Sequence, residues 1–421
     1  MRPFHPFHPF CSLPVPMSSA QLPGAWGRIF LPFALGYYLS YLLRTVNAVI
    51  SPALSLELGL SASQLGLLTS AYFVAFGLMQ IPIGIALDRY GPRRVEGSLL
   101  LVTALGGVAF ATGDSLTSLG LARGLLGLGV SACLMAGLKG FAMWYPPERQ
   151  GSMTGFIMAA GALGALTASA PLEALLPLLG WRGLFWGITA CALLASAWIF
   201  ISLPDEAPHT GEDTLTAALA SVAGIFRSRD FLRYAAAATF FTGGFMALQG
   251  LWVVPWLMNV NGLELAGAAR YLLILNLGML AGQLAMGLFG TRLARSGIRS
   301  PTILRAGYAG MLLVELALLT DCLPLGLAWC LFGVFSAVNS QSYLAAAGYF
   351  PRTQFGRVST AVNLMAFAGA FAVQWGMGLA LDGLQLAGHA LDCALKIAFG
   401  GLLAVQFCAY LPLLRVKRAP V

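Results

Sequence analysis

One arginine interrupts a long apolar run near the start of the chain. Arg44 is the only charged residue between positions 29 and 50, and Tyr37 and Tyr41 precede it in the same run. If the run is helical, these spacings place the three side chains on one face, with Asn47 at its border. A guanidinium offers a planar fork of donors that fits a carboxylate or a phosphate. The pattern predicts an anion-binding face, with an arginine paired to a helix carbonyl or a structural carboxylate as the alternative.

A second set of polar side chains is uncharged and lies in the other half of the chain. Gln249 and Trp252 are three residues apart, and Asn339 and Tyr343 are four apart, so each pair shares a helical face. Each such group, taken singly, more often joins helices than binds a ligand. Together with Arg44 they give one charged helical face and one face of amides and aromatic rings. If these faces line one cavity, as the family resemblance described below implies, that cavity suits an amphipathic organic anion.

Residues typical of catalysis or of metal sites are scattered. The chain has 4 His and 7 Cys, and no pair of cysteines has the Cys-x-x-Cys spacing. No nucleophile–base constellation and no phosphate-binding loop is evident in the sequence. We therefore expect a protein that is not an enzyme and that has neither a metal site nor a cofactor.

The composition indicates that lipid is the solvent of this chain. Hydrophobic residues make up 58% of it and charged residues only 10%, whereas soluble domains carry about 25% charged residues. The net charge of +8 does not indicate nucleic acid, because no basic cluster lies on a folded polar face. A helix needs about 20 apolar residues to cross a bilayer. Twelve such runs are predicted, near 29–50, 64–86, 95–113, 118–142, 152–172, 183–203, 235–257, 268–291, 303–320, 325–348, 358–380 and 391–414.

The distribution of basic residues predicts that both termini are cytoplasmic. With that orientation, 18 of the 24 Lys and Arg residues fall in cytoplasmic segments. Three fall in outer loops, and Arg44, Arg123 and Lys139 fall within spans. This bias follows the positive-inside rule. It predicts a multi-pass protein, and we expect it in a bacterial inner membrane.

The chain divides into five predicted segments. Residues 1–27 are expected to be a disordered tail, and 28–203 a six-helix bundle. Residues 204–233 are expected to be a cytoplasmic linker with an amphipathic helix, because an acidic, Pro-containing stretch precedes a basic amphipathic one. A second six-helix bundle follows at 234–414, and 415–421 forms a cytoplasmic tail.

The two predicted bundles repeat one another. Gly84, Arg89, Gly91 and Arg93 recur 206 residues later as glycine, arginine, glycine and arginine, and a second match at the same offset joins 120–127 to 326–333. A constant offset of this size indicates a duplicated six-helix unit. The expected fold is therefore an all-α membrane protein of twelve transmembrane helices in two pseudo-symmetric bundles.

The sequence GIALDRYGPRR at 84–94 resembles the signature loop of the major facilitator superfamily between its second and third helices. Arg123 begins a stretch that resembles an arginine–glycine motif of the family's fourth helix. The resemblance implies that Asp88 accepts hydrogen bonds from the start of the eleventh helix and latches the cytoplasmic side, with Gly84, Arg89, Gly91 and Arg93 shaping the loop. In the second copy Ala294 replaces the acid, so this motif provides such a contact only once.

Coupling and substrate remain open at the level of sequence. Arg123 and Glu315 are candidates for coupling to a proton, with structural pairing as the alternative for each. The first helix is similar to that of organophosphate:phosphate antiporters, but the seventh run lacks their second arginine. We therefore expect alternating-access transport of a small carboxylate-type anion, coupled to a proton or a counter-anion, by a monomer surrounded by lipid, with no nucleic-acid partner. A proton-coupled drug or metabolite exporter and a transporter-like receptor are the alternatives.

Overall fold

A computed structural model gives the fold of residues 26–204, 220, 222–351 and 354–415. Within these residues the regular structure is helical. The helices are α1 Trp26–Leu58, α2 Ala62–Leu78, α3 Gln80–Thr112, α4 Leu116–Trp144, α5 Pro147–Thr167, α6 Ala170–Ser202, α7 Arg229–Asn259, α8 Leu265–Arg295, α9 Ser300–Thr320, α10 Leu325–Ser336 with its continuation Gln341–Ala347, α11 Phe355–Leu386 and α12 Leu391–Leu414. Most of the predicted N-terminal tail and linker, and residues 416–421, lie outside the described residues.

The predicted spans overlap these helices throughout. In the described part of the chain, nine helices are long and apolar enough to cross a membrane, and α2 is an apolar helix of shorter length. Its shortness has a local cause, because the helix is interrupted at Met79 and the second predicted span continues into α3. The count of twelve spans and the sides of the two termini stay predictions.

Two glycines turn the chain sharply inside long helical elements. Gly91 has φ 77° within α3, and Gly180 has φ 62° within α6. L-residues with a side chain rarely adopt this backbone conformation, whereas glycine does so without steric cost. Pro92 follows the first turn and fixes its own φ near the helical value. Gly91 and Pro92 thus form a tight turn, which separates the second predicted span from the third.

Glycine also allows helix backbones to touch, as is common in helix bundles in lipid. A methyl group placed on Gly164 of α5 would collide with the carbonyl oxygen of Tyr38 in α1. One on Gly161, a turn earlier, would meet the rings of Tyr37 and Tyr41 at 2.6 and 2.9 Å. These contacts hold α1 against α5 and set the position of the face that carries Arg44.

This packing predicts a destabilising Gly164→Ala substitution. Alanine normally favours a helix over glycine by about 0.5–1 kcal/mol, but here the methyl group must displace the α1 backbone. Overpacking of this kind costs about 1–3 kcal/mol. We expect a lower melting temperature in detergent. Gly151→Ala in the same helix is the control, because nothing lies within 4 Å of its added methyl group; equal melting temperatures for the two variants would contradict this packing.

The two halves of the chain, residues 26–204 and 229–415, meet along α2 and α11. A methyl group on Gly66 of α2 would lie 2.7 Å from the carbonyl oxygen of Gln374 in α11. Farther along the same pair, the rings of Phe76 and Phe367 stack with their centroids 4.2 Å apart. The packing of α2 on α11 closes one end of the space between the two halves. The other end of this space is open.

Candidate functional site

A cavity of about 1480 Å³ lies between the two halves. Residues from both halves line it, and the helices that contribute include α1, α3, α4, α5, α7, α8, α10 and α11. Its mouth carries the exposed side chains of Asp88, Arg89 and Arg357. By the positive-inside rule this is the predicted cytoplasmic end, since the basic loops lie there. Val222, from the described part of the predicted linker, also borders the cavity.

Arg44 lies on the cavity wall, as the sequence predicted for its face. Its side chain is only 6% exposed. The guanidinium carbon lies 4.6 Å from the centroid of the Tyr41 ring, 5.5 Å from that of Phe76 and 5.4 Å from that of Phe367. These distances are within the range of cation–π attraction. Phe367 belongs to the second half of the chain, so the arginine contacts both halves at once.

The polar atoms of Arg44 have few protein partners. In the described part of the chain its buried Nε makes no hydrogen bond, and no carboxylate lies within 4 Å of the guanidinium. A buried cation with few hydrogen bonds and no counter-charge is costly. The aromatic rings offset part of that cost and hold the guanidinium in place. An anion entering the cavity would find its donors preorganised.

Tyr37 and Tyr41 lie beside Arg44 on the same wall. Their rings meet edge to face with centroids 5.2 Å apart, and the Tyr37 hydroxyl points to the sulfur of Met158 at 3.7 Å. Gly161 leaves the room that both rings occupy. The α5 helix therefore positions the tyrosines, a role that the sequence analysis did not assign to it.

A hydrogen-bonded chain of side chains crosses the cavity from one half to the other. The hydroxyl of Tyr343 donates to Asn363 Oδ1 at 3.0 Å, and Asn363 Nδ2 donates to Gln80 Oε1 at 2.8 Å. All three residues line the cavity. The sequence analysis singled out Tyr343 but missed Gln80, which lies in the second predicted span. An amide inside an apolar run was the available signal, and it is shared by many residues that only join helices.

Gln249 and Asn339 also line the cavity, on α7 and α10. Gln249 Nε2 donates to Asn276 Oδ1 at 2.6 Å, and Asn276 Nδ2 donates to the carbonyl oxygen of Ala165 in the first half at 3.0 Å. Gln249 is thus held by a contact between the halves. The Oδ1 of Asn339 is buried and has no hydrogen-bond partner among the described residues.

Two residues predicted to bind the substrate lie outside the cavity lining. Trp252 is 2% exposed, and its Nε1 donates to the carbonyl oxygen of Gln374 at 3.1 Å. Asn47 is buried on the side of α1 that faces α4. Helical spacing predicted Asn47 at the border of the Arg44 face and Trp252 on one face with Gln249. Neighbouring helices cover both positions, so the structure places the two side chains at helix contacts.

Arg123 is buried away from the cavity and holds α1 in place. Its Nη1 and Nη2 donate to the carbonyl oxygen of Leu43 at 3.2 and 3.1 Å. With its amide oxygen turned toward Arg123, Asn47 accepts from Arg123 Nε at 3.3 Å. The rings of Tyr72 and Phe110 lie 5.1 and 6.0 Å from the guanidinium carbon. Arg123 therefore fixes the backbone next to Arg44, which corresponds to the structural alternative of the sequence analysis.

The buried acids lie apart from the cavity lining. Glu315 in α9 is 3% exposed, and its Oε1 has no hydrogen-bond partner in the described residues. Glu96 in α3 is fully buried against Gly36 of α1, and the sequence analysis did not single it out. In the described part of the chain no group of His, Cys, Asp and Glu has the arrangement of a metal site.

Three of the five predicted gating residues, Gly84, Asp88 and Arg89, line the cavity near its mouth. Asp88 pairs with Lys139 of α4, with Nζ and Oδ1 2.6 Å apart, and the same ammonium donates to the carbonyl oxygen of Leu87 at 2.8 Å. Arg93 Nη2 donates to the carbonyl oxygen of Phe200 at 2.7 Å. Gly84 and Arg89 line the mouth. In this open conformation Asp88 is held within the first half, and its latch to α11 stays a prediction for the closed conformation.

A different acid closes the opposite end. Asp382 of α11 accepts hydrogen bonds from the backbone amides of Ala62 and Ser63 at 3.0 Å each, and from the hydroxyl of Ser61 at 2.8 Å. These groups form the start of α2, where a negative charge is stabilised. Nothing in the sequence predicted this contact, which joins α2 to α11.

The fold and the cavity define a transporter of the two-halved membrane type, and sequence comparison assigns its family. Residues 33–373 match the family model of the Major Facilitator Superfamily. The chain therefore belongs to this superfamily and is a multi-pass membrane transporter. Its bacterial relatives place it in the inner membrane. The resemblance noted from the signature loop is confirmed.

Curated relatives are transporters, and a solved structure has the same fold. The chain is 26% identical to the "Probable L-galactonate transporter" of Escherichia coli K12 over 75% of its own length and 65% of the relative's. It is 27% identical to the "Hexuronate transporter" of the same strain, over 61% of this chain and 64% of the relative. The matches thus span less than two thirds of these relatives. A D-xylose–proton symporter structure has a TM-score of 0.72 at 15% identity, covering 93% of this chain and 98% of that one, which supports the fold alone.

Proposed function

We propose that this protein moves a small organic anion of the carboxylate type across the inner membrane by alternating access. The observation that carries the proposal is Arg44, a nearly buried cation on the cavity wall with no carboxylate within ion-pair distance in the described residues. A carboxylate of the solute would supply the missing acceptors as a bidentate partner. The named solutes of the two relatives, galactonate and hexuronate, are sugar acids.

The rest of the cavity suits the uncharged part of such a solute. Tyr37, Tyr41 and Gln80 lie on the first half, and Gln249 and Asn339 on the second. Amides and phenols both donate and accept hydrogen bonds, as the hydroxyl groups of a polyol chain require. A site near the junction of the halves is also where transporters of this architecture bind, so that closing either end exposes the solute to one side.

A thermal-stability screen of the purified protein tests the substrate class. The panel contains galacturonate, gluconate, sulfoacetate, a sugar phosphate, an uncharged sugar, choline and a lipophilic cation. A ligand at a hundredfold excess over its dissociation constant should stabilise the protein by about 2.7 kcal/mol. We expect one or more carboxylates to raise the melting temperature. The uncharged sugar and the cations should leave it unchanged. Stabilisation by the lipophilic cation alone would instead favour the exporter.

A further inference from the structure

The charge of Arg44 has consequences for the transport cycle, because the described residues provide no negative group to balance it. The acid at the mouth, Asp88, is paired with Lys139 at 2.6 Å. Glu96 and Glu315 are buried but do not line the cavity. The second buried cation, Arg123, already has the carbonyl oxygen of Leu43. In the described residues no carboxylate lies within ion-pair distance of Arg44, so a bound anion would be its counter-charge.

The surroundings of Arg44 must change when the transporter reorients. In the open conformation the guanidinium lies in a water-accessible cavity and against Phe76 and Phe367, which stack across the two halves. Alternating access requires the mouth to close before the α2–α11 contact opens. Between these events both ends of the cavity are closed, and the arginine is cut off from bulk water. An unpaired cation is strongly disfavoured there, whereas an arginine–carboxylate pair is not.

We propose that the protein is an obligate anion exchanger: the cavity closes and reorients only when an anion occupies Arg44. This inference rests on the proposed function, since it concerns the same site. One monoanion enters for each one that leaves, so a cycle moves no net charge and Arg44 stays protonated throughout. The return of the empty carrier, which a uniporter or a symporter requires, is the step that the bare guanidinium blocks. The proton-coupled alternative would need an acid that balances this cation in the empty carrier.

Flux in proteoliposomes tests the proposal with radiolabelled galacturonate as the first probe. Uptake is measured into vesicles loaded with unlabelled galacturonate and into vesicles loaded with an uncharged sugar at equal osmolarity. We expect uptake into the anion-loaded vesicles to be at least about a hundredfold faster, which corresponds to a barrier difference of about 2.7 kcal/mol. A membrane potential of either sign should leave the exchange rate unchanged, because the cycle carries no net charge.

The outcomes separate this inference from the proposed function. Fast uptake only in anion-loaded vesicles supports both. Equal uptake in the two kinds of vesicle overturns the exchange inference and leaves the anion function intact. Accumulation driven by a proton gradient in vesicles without internal anion overturns it in the same way. If no carboxylate of the screening panel shows counterflow, the proposed function fails and the exchange inference fails with it.

A distance measurement tests the same step without requiring transport. Spin labels on Leu178→Cys and Leu386→Cys, in a background without the native cysteines, report on the closed end of the molecule; both positions are highly exposed there. We expect the native Arg44 protein to open this end only when galacturonate is present. Arg44→Gln should open it without any anion. Opening of the native protein in anion-free buffer, to the same extent as with galacturonate, would overturn the proposal.

Discussion

Replacement of Arg44 by glutamine is expected to reduce anion exchange by at least about a hundredfold. The guanidinium is the one cation on the inner cavity wall in the described residues, and its fork would form two charge-assisted hydrogen bonds with a carboxylate. Each such bond contributes about 1.5–3 kcal/mol. Glutamine keeps some length and polarity but removes the charge. The measurement is counterflow of galacturonate in proteoliposomes, with protein abundance and melting temperature recorded for each variant.

Two further variants separate charge from geometry. Arg44→Lys keeps the positive charge but loses the planar fork and its stacking against Tyr41, Phe76 and Phe367, so we expect an intermediate loss, on the order of tenfold. Arg89→Gln removes a cation from the exposed mouth. It should weaken attraction of the solute only modestly, because water and salt screen an exposed charge. Full counterflow in Arg44→Gln would show that the anion binds elsewhere.

The sequence predicted the fold well because the physics of the membrane limits the choice of structure. Long uncharged runs must be helices in lipid. The turn at Gly91 lies between two such runs, the second and third predicted spans. The position of Arg44 on the cavity wall was predictable for a related reason. A charged residue such as Arg44 rarely persists inside an apolar run without a use, and a spacing of three or four residues fixes which side chains share its face.

The side chains whose placement the sequence did not predict depend on contacts between helices that are distant in sequence. Asn47 belongs to the polar border of α1 by spacing, but Arg123 from α4 covers it. Gln80 lines the cavity, where it accepts a hydrogen bond from Asn363 of the other half. The same amide pattern describes a ligand-binding residue and a helix contact. Helical periodicity fixes the face of a helix but not the neighbour that packs on it, so these placements required the structure.

The contact of Asp382 with the start of α2 makes the conformation of the closed end sensitive to one side chain. This carboxylate accepts two backbone N–H groups and one hydroxyl from the opposite half, and it is the only acid of the described residues bonded to that helix start. Loss of a helix cap costs about 0.5–2 kcal/mol. Here the cost falls on the conformation that is open at the mouth, because the two partners separate when the closed end opens.

We therefore expect Asp382→Ala to shift the population toward the conformation open at that end, by a factor of about 5–30 for 1–2 kcal/mol. The spin-label pair on Leu178→Cys and Leu386→Cys would report a larger share of long distances in the variant. Asp392→Ala is the matched control, because Asp392 is exposed in the first turn of α12. A solute that neutralises Arg44 should shift the same equilibrium further. Identical distance distributions for Asp382→Ala and Asp392→Ala would mean that the packing of α2 on α11, rather than the carboxylate, holds this end closed.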